Sequence, residues 1–164
     1  MKRTSIQPDI DNVVDFKTLK VTSPAFQEDG HIPSKYTCDG EDVNPPLSIE
    51  QIPEEAKCLA IIVDDPDAPS GDWVHWVVWD MPVTHHLKEN EVHGQQGMND
   101  FNKQRYNGPC PPRGVHRYYF KVYALDTILN LDASSRKNDL ERAMASHILA
   151  FGELIGRYER SNKR

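Results

Sequence analysis

The sequence predicts a mainly β protein, an antiparallel sheet core with a helix packed at its C-terminal end. Three observations predict it. The runs Lys57–Asp65, Trp73–Trp79 and Val115–Leu125 have the length and the β-branched or aromatic content of strands. Prolines and glycines, 12 and 9 of 164 residues, crowd between such runs and keep regular elements short. Past residue 138 the apolar residues recur every three or four positions, as on a helix.

Residues 1–15 are polar and irregular and are expected to form a loose arm on one domain spanning 1–164. Phe16–Thr22 (FKTLKVT) alternates and reads as a strand. Ser23–Pro53 holds Pro24, Gly30, Pro33, Gly40, Pro45, Pro46 and Pro53, which predicts a long ordered loop with short strand pieces. Lys57–Asp65 (KCLAIIVDD) is a strand. Trp73–Trp79 (WVHWVVW) is apolar on both faces, so it is expected to be buried on both sides, and in a regular strand His75 shares a face with Trp73, Val77 and Trp79. Val115–Leu125 alternates, with His116, Tyr118, Phe120 and Val122 on one face and Arg117, Tyr119, Lys121 and Tyr123 on the other. Leu140, Ala143, Met144, His147, Ile148, Phe151, Ile155 and Tyr158 predict one amphipathic helix over Asp139–Arg160, capped by Asn138 with Glu141 as its capping-box acid.

Composition narrows the function. With 19 Lys and Arg against 25 Asp and Glu, the net charge is -6, and the cations form no stripe, which disfavours nucleic acid as a partner. The longest apolar run, Cys58–Val63, is far short of the roughly 20 residues of a membrane span. No apolar segment follows Lys2 and Arg3, so a secretory signal is not expected and a cytoplasmic location is. Three cysteines (Cys38, Cys58 and Cys110) with no C-x-x-C pair disfavour both a disulfide framework and a cysteine-rich zinc site.

Three stretches combine polar chemistry with enforced geometry. Asp64-Asp65-Pro66-Asp67-Ala68-Pro69 ends a strand, because proline cannot continue a ladder, and so displays carboxylates on a stiff loop. His75 lies near the start of its strand. Tyr106–Tyr118 (YNGPCPPRGVHRY) is a Gly/Pro-rich loop running into a strand that opens with His116 and Tyr118. Each has a plain structural reading, respectively a turn, a core histidine and a corner. Together, strand ends at one sheet edge can converge on a small polar site. The tight prolines of Asp65–Pro69 and Gly108–Gly114 are expected to include a cis X-Pro bond.

Asp-Pro-Asp-Ala-Pro, the His-Trp strand and the long motif ending His-Arg-Tyr resemble the phosphatidylethanolamine-binding protein family, in its bacterial, Raf kinase inhibitor-like branch. The likeness extends to Ser23-Pro24-Ala25-Phe26, Tyr36-Thr37-Cys38-Asp39-Gly40 and His147-Ile-Leu-Ala, and covers roughly residues 17–160. It implies a large antiparallel Greek-key sheet packed with a smaller sheet, plus a C-terminal α-helix. It also implies a pocket for phosphate, phosphorylethanolamine or similar anions, lined by Asp65, His75, Gly108, Pro109, His116 and Tyr118, with Pro66, Asp67 and Pro69 in the supporting loop.

Those residue types suit an anion. Imidazole and phenol groups donate hydrogen bonds, backbone N–H groups of Gly108–Gly114 add more, and Asp65 can fix an imidazole's tautomer. If both histidines act as imidazolium donors, binding is strongest at acid pH; the rival is a neutral tautomer, locked by Asp65, that already donates one N–H. The function expected is binding of a small anion, with regulation or inhibition of a kinase or protease, rather than catalysis. The alternative is a hydrolase using Asp65, His75 and His116, although no nucleophile motif is present and Cys110 is the one thiol in the loop. No cofactor and no catalytic metal are expected. A small anionic ligand, a kinase or protease and a second copy of the chain are the partners expected.

Overall fold

The computed structural model describes residues 16–160. The expected N-terminal arm lies outside the described residues. The elements are β1 (Lys17–Thr18), β2 (Lys20–Thr22), β3 (Gly30–His31), β4 (Leu47–Glu50), β5 (Cys58–Asp65), β6 (Trp73–Met81), β7 (His86–Leu87), β8 (Gln95–Gln96), β9 (His116–Leu125), α1 (Lys137–Met144) and β10 (Ile148–Tyr158). A seven-stranded sheet runs β1-β10-β9-β5-β6-β8, with β3 also on β10, and a three-stranded sheet runs β2-β4-β7. Its long neighbours pair antiparallel, while β1 and β3 join β10 in parallel. The mainly β architecture with a large sheet, a small sheet and a C-terminal helix is therefore as expected.

The large sheet is apolar on both faces because two layers cover it. Leu59, Ile61 and Val63 of β5, with Phe120 and Val122 of β9, pack toward the small sheet and meet Val21, Leu47 and Ile49. Cys58, Ala60 and Ile62, with Tyr123 and Leu125, pack toward α1 and meet Leu140 and Met144. Burying a large aliphatic or aromatic side chain contributes about 1.5–3 kcal/mol, so this double burial fixes β5 at the centre. The expected alternation along β9 is present. No helix among the described residues is long and apolar enough to cross a membrane.

Five expectations need correction. The helix predicted over Asp139–Arg160 ends at Met144, and the chain returns as β10, an 11-residue strand. Its cap differs too: the N–H of Arg136 donates to the Asp139 carboxylate at 2.9 Å, so Asp139 and not Glu141 is the capping acid, and Asn138 lies inside the helix. Cys38 and Cys110 form a disulfide across 72 residues, which an odd cysteine count had disfavoured. No described peptide bond is cis, so Asp65–Pro69 and Gly108–Gly114 turn with trans prolines. Finally, β6 is irregular. Val63 faces Trp76 while Asp64 faces Val74, which leaves His75 as the extra residue of a bulge. Val74 then shares the α1-side core with Val77 and Trp79, and His75 does not.

The Phe16–Thr22 strand is split at Leu19. β1 joins the large sheet and β2 the small one, and the Leu19 N–H donates to Phe151 O at 3.0 Å. One short segment thus ties the two sheets together.

Candidate functional site

β5 ends where Pro66 removes a ladder donor, and this leaves Asp64 and Asp65 pointing to opposite faces of the sheet. Asp64 points toward α1. There its carboxylate meets Lys121 Nζ at 3.2 Å and Lys137 Nζ at 2.7 Å, a buried cluster behind the site. Burial pulls Lys121 below its ordinary value; at Lys137 burial acts the same way, but Asp64, Glu141 and Asp72 together raise it overall.

Asp65 faces the other way, into a cavity of about 270 Å³. His75 reaches that cavity because the bulge in β6 re-aims it. His116 and Tyr118 reach it as alternate residues at the start of β9. These four lining residues are only 3, 3, 7 and 1% exposed (Asp65, His75, His116 and Tyr118). Trp73, Phe101, Pro69, Pro111 and Pro112 also line the cavity, with Ala68, Ser70 and Cys110.

Hydrogen bonds fix the polar groups. His116 Nδ1 lies 2.7 Å from Asp65 Oδ2, and the Tyr118 hydroxyl also bonds Asp65. The Asp67 N–H donates to Asp65 Oδ1 at 2.7 Å. His75 Nδ1 lies 2.6 Å from the Asn107 carbonyl oxygen. Ring contacts complete the arrangement: His75 meets Tyr118 edge-on at 5.4 Å and Phe101 at 5.3 Å. Burial holds His75 below its ordinary value, against the opposing pull of the Asn107 carbonyl and Asp65. Burial, then the nearby Asp65 charge, raises the Tyr118 phenol far above its usual range.

These partners decide the tautomers. A carbonyl oxygen only accepts, so the proton of neutral His75 sits on Nδ1. Asp65 receives hydrogen bonds from a phenol, a backbone amide and His116, so His116 also carries its proton on Nδ1. In their neutral forms both rings therefore keep a lone pair on Nε2. The rival reading, a neutral tautomer locked by Asp65 that donates to a ligand, does not fit these partners, because the N–H that Asp65 locks is spent on Asp65.

The remaining site residues fall elsewhere. Gly108 and Pro109 are buried but do not line the cavity. The Gly108 N–H donates to Asp42 Oδ1 at 2.7 Å, and a Cβ there would sit 2.2 Å from Tyr36 O. Its bare backbone lets another strand of chain approach, not a ligand. Pro109 O accepts from the Cys38 N–H at 3.1 Å. Asp67 turns outward and accepts from Arg117 through its backbone N–H, Nε and an NH2 nitrogen, which holds its carboxyl below the ordinary range. Pro69 lines the cavity; Pro66 does not. Cys110 is tied to Cys38, so its sulfur is not a free thiol.

Sequence reasoning missed Asn99 and Phe101. The fully buried Asn99 amide donates to the carbonyl oxygens of His75 and Arg105 and to Asn107 Oδ1, while its own oxygen accepts from Phe101 and Lys103. It knits the loop that holds both Phe101 and the carbonyl partner of His75. An Asn inside a polar loop carries no signal for such a role. Among the described residues, no three His, Cys, Asp or Glu side chains are gathered as a metal would require.

Comparison with known proteins places this geometry. A family model described as phosphatidylethanolamine-binding protein matches residues 22–159. A UPF0098 protein of Pyrococcus abyssi is 54% identical over 153 residues, covering 87% of this chain and 85% of that one. A UPF0098 protein of Chlamydia trachomatis is 43% identical over 149 residues, covering 87% and 99%. Among solved structures, a phosphatidylethanolamine-binding protein homolog from Chlamydia trachomatis matches with a TM-score of 0.85 at 41% identity, covering 88% of this chain and 99% of that one. E. coli YbcL, described as a new member of the mammalian family, matches with a TM-score of 0.80 at 29% identity, covering 87% and 99%.

Proposed function

The chain belongs to the phosphatidylethanolamine-binding protein family, and from that premise we propose that it binds a small anion of the phosphate or phosphorylethanolamine kind in the cavity of Asp65, His75, His116 and Tyr118. One observation carries the reading: two imidazoles and a phenol, each held by a named partner, meet in one small cavity with apolar walls. Such a cavity excludes water from most of a ligand while a few polar groups orient it. His116 is the ring placed to carry positive charge, since the Asp65 carboxylate lies directly behind it. His75, buried and held neutral, orients the ligand rather than neutralising it. A role toward a kinase or protease would use occupancy of this cavity as its signal.

The binding reading is preferred to the hydrolase one. Each Nδ1 is engaged by Asn107 or Asp65, and among the described residues no serine or cysteine hydrogen-bonds either ring. For location, the Cys38–Cys110 bridge fits an oxidising compartment or the interior of a hyperthermophile, the two settings where such bridges persist.

Calorimetric titration with O-phosphorylethanolamine tests the reading. Wild type should bind and His116→Ala should lose at least tenfold in affinity. Equal affinity in the two proteins would move the site elsewhere. Turnover of p-nitrophenyl phosphate that His116→Ala abolishes would establish the hydrolase instead.

A further inference from the structure

The tautomers of the two pocket histidines set what a ligand must bring. His75 donates its Nδ1 proton to Asn107 O at 2.6 Å, and His116 donates its own to Asp65 Oδ2 at 2.7 Å. Nε2 is the nitrogen each ring has left for a ligand. In a neutral ring Nε2 is an acceptor, and a fully deprotonated oxyanion offers acceptors only. Lone pairs would face lone pairs. A proton must lie between them, on the ring or on the ligand.

For His116 the ring can carry it, with Asp65 as counter-charge. For His75 the surroundings oppose that. It is 3% exposed, Phe101 and Tyr118 pack edge-on against it, and its Nδ1 partner is an uncharged carbonyl. The titratable groups that share its cavity are Asp65 from β5 and Tyr118 and His116 from β9, and the further charges that act on it are Asp64, on the opposite face of β5, and Asp42 behind the Gly108 loop. Asp65 is already committed to His116, Tyr118 and the Asp67 amide, and Asp64 to two lysines. Burial keeps His75 neutral despite them.

We propose that the pocket selects a phosphomonoester in its monoanionic, proton-bearing form, the P–OH donating to Nε2 of neutral His75 while His116 meets the charged oxygens. This rests on the reading of the cavity as an anion site. It adds a specificity: an oxyanion of the same shape and charge that lacks the proton is rejected, because a buried acceptor would be left unpaired against it. His75 is thus a specificity-determining residue that reads one hydrogen atom.

Methyl phosphate and methyl sulfate make the test. At pH 5 both are monoanions of near-identical shape, since the second phosphate ionisation lies near 6, and only the phosphate carries a proton. Any charge on His116 is common to both. Calorimetric titration of wild type should show methyl phosphate at least tenfold tighter, and the preference should fade as pH rises to 8 and the ligand loses its proton. In His75→Gln the side-chain amide supplies a donor where Nε2 offered an acceptor, so methyl sulfate should gain relative to methyl phosphate. Loss of packing alone would weaken both equally. Equal affinities in wild type at pH 5, or tighter methyl sulfate, would overturn the proposal while leaving the anion site standing. Binding of neither would remove the anion site and the proposal with it. Long-range proton–nitrogen correlation spectra of ligand-free protein give an independent readout. They should show Nε2 as the bare nitrogen of His75, and a bare Nδ1 would overturn the proposal whatever the affinities.

Discussion

Replacing Cys38 and Cys110 by serine should destabilise the protein by about 4 kcal/mol. The bridge closes a loop across 72 residues, and the loss of loop-closure entropy in an unfolded chain of that span corresponds to about 4 kcal/mol at 25 °C. For a chain of this size, roughly 2–4 °C of melting temperature goes with each kcal/mol, so the midpoint should fall by about 8–16 °C. The native loop has other ties. The Cys38 N–H holds Pro109 O at 3.1 Å and the Gly108 N–H holds Asp42 at 2.7 Å. The cost therefore belongs mainly to the unfolded state, and affinity for methyl phosphate, measured well below the transition, should change less than threefold. Differential scanning calorimetry of wild type, wild type with dithiothreitol and the double variant makes the comparison. The last two should melt together. A fall below 2 °C would refute the loop-closure reasoning, and a large loss of affinity at low temperature would show that the bridge holds the native cavity open.

Three further outcomes are expected. Asp64→Asn should cost about 3–5 kcal/mol in urea unfolding, because it removes the carboxylate that Lys121 and Lys137 share in a buried site and leaves Lys137 only the longer contacts to Asp72 and Glu141; a cost below 1 kcal/mol would mean that cluster is hydrated. Gly108→Ala should cost at least about 1–3 kcal/mol, since the new methyl would meet Tyr36 O at 2.2 Å and backbone must move; unchanged urea midpoints would contradict the packing. Burial holds His75 below its ordinary 6.5, so the unfolded chain takes up a proton that the folded one resists. Its contribution to stability is complete above about pH 6.5 and is lost as pH falls beneath that, toward the folded value; His75→Gln should flatten this slope, and identical pH profiles for the two proteins would refute it.

Much of this was legible in the residues. β5 and β9 stand out by apolar content and alternation, and the proline after Asp65 marks where the central strand must stop. The C-terminal strand was hidden by its glycines. Ala150, Gly152, Leu154, Gly156 and Tyr158 are its buried positions, a period of two. Two of those five carry no side chain, because Gly152 packs on Leu19 O and Gly156 on Phe26 and Ile32. The visible apolar residues then fell at helical spacing. The bulge that aims His75 comes from pairing with β5, which no local pattern announces, and the disulfide joins segments whose proximity only the fold creates. The Gly/Pro motif lines the cavity with Cys110, Pro111 and Pro112, but its first glycine serves the contact with Tyr36 O.

The order of strands also governs when the chain can finish folding. Lys17 and Thr18 pair with Ala150 and Phe151, and Gly30 and His31 pair with Gly156 and Arg157. Within the large sheet, then, the earliest of the described strands have as their neighbour the last of them. At about 5–20 residues per second of synthesis, Lys17 waits roughly 7–27 s for Ala150. The small sheet is under no such delay, since β2, β4 and β7 are all present once Leu87 has emerged. Pairing over such sequence distances is entropically slow in any case. During synthesis the growing protein would carry the strands of the small sheet over a large one still missing β10, so emergence of β10, rather than of β1 and β3, allows that edge to form.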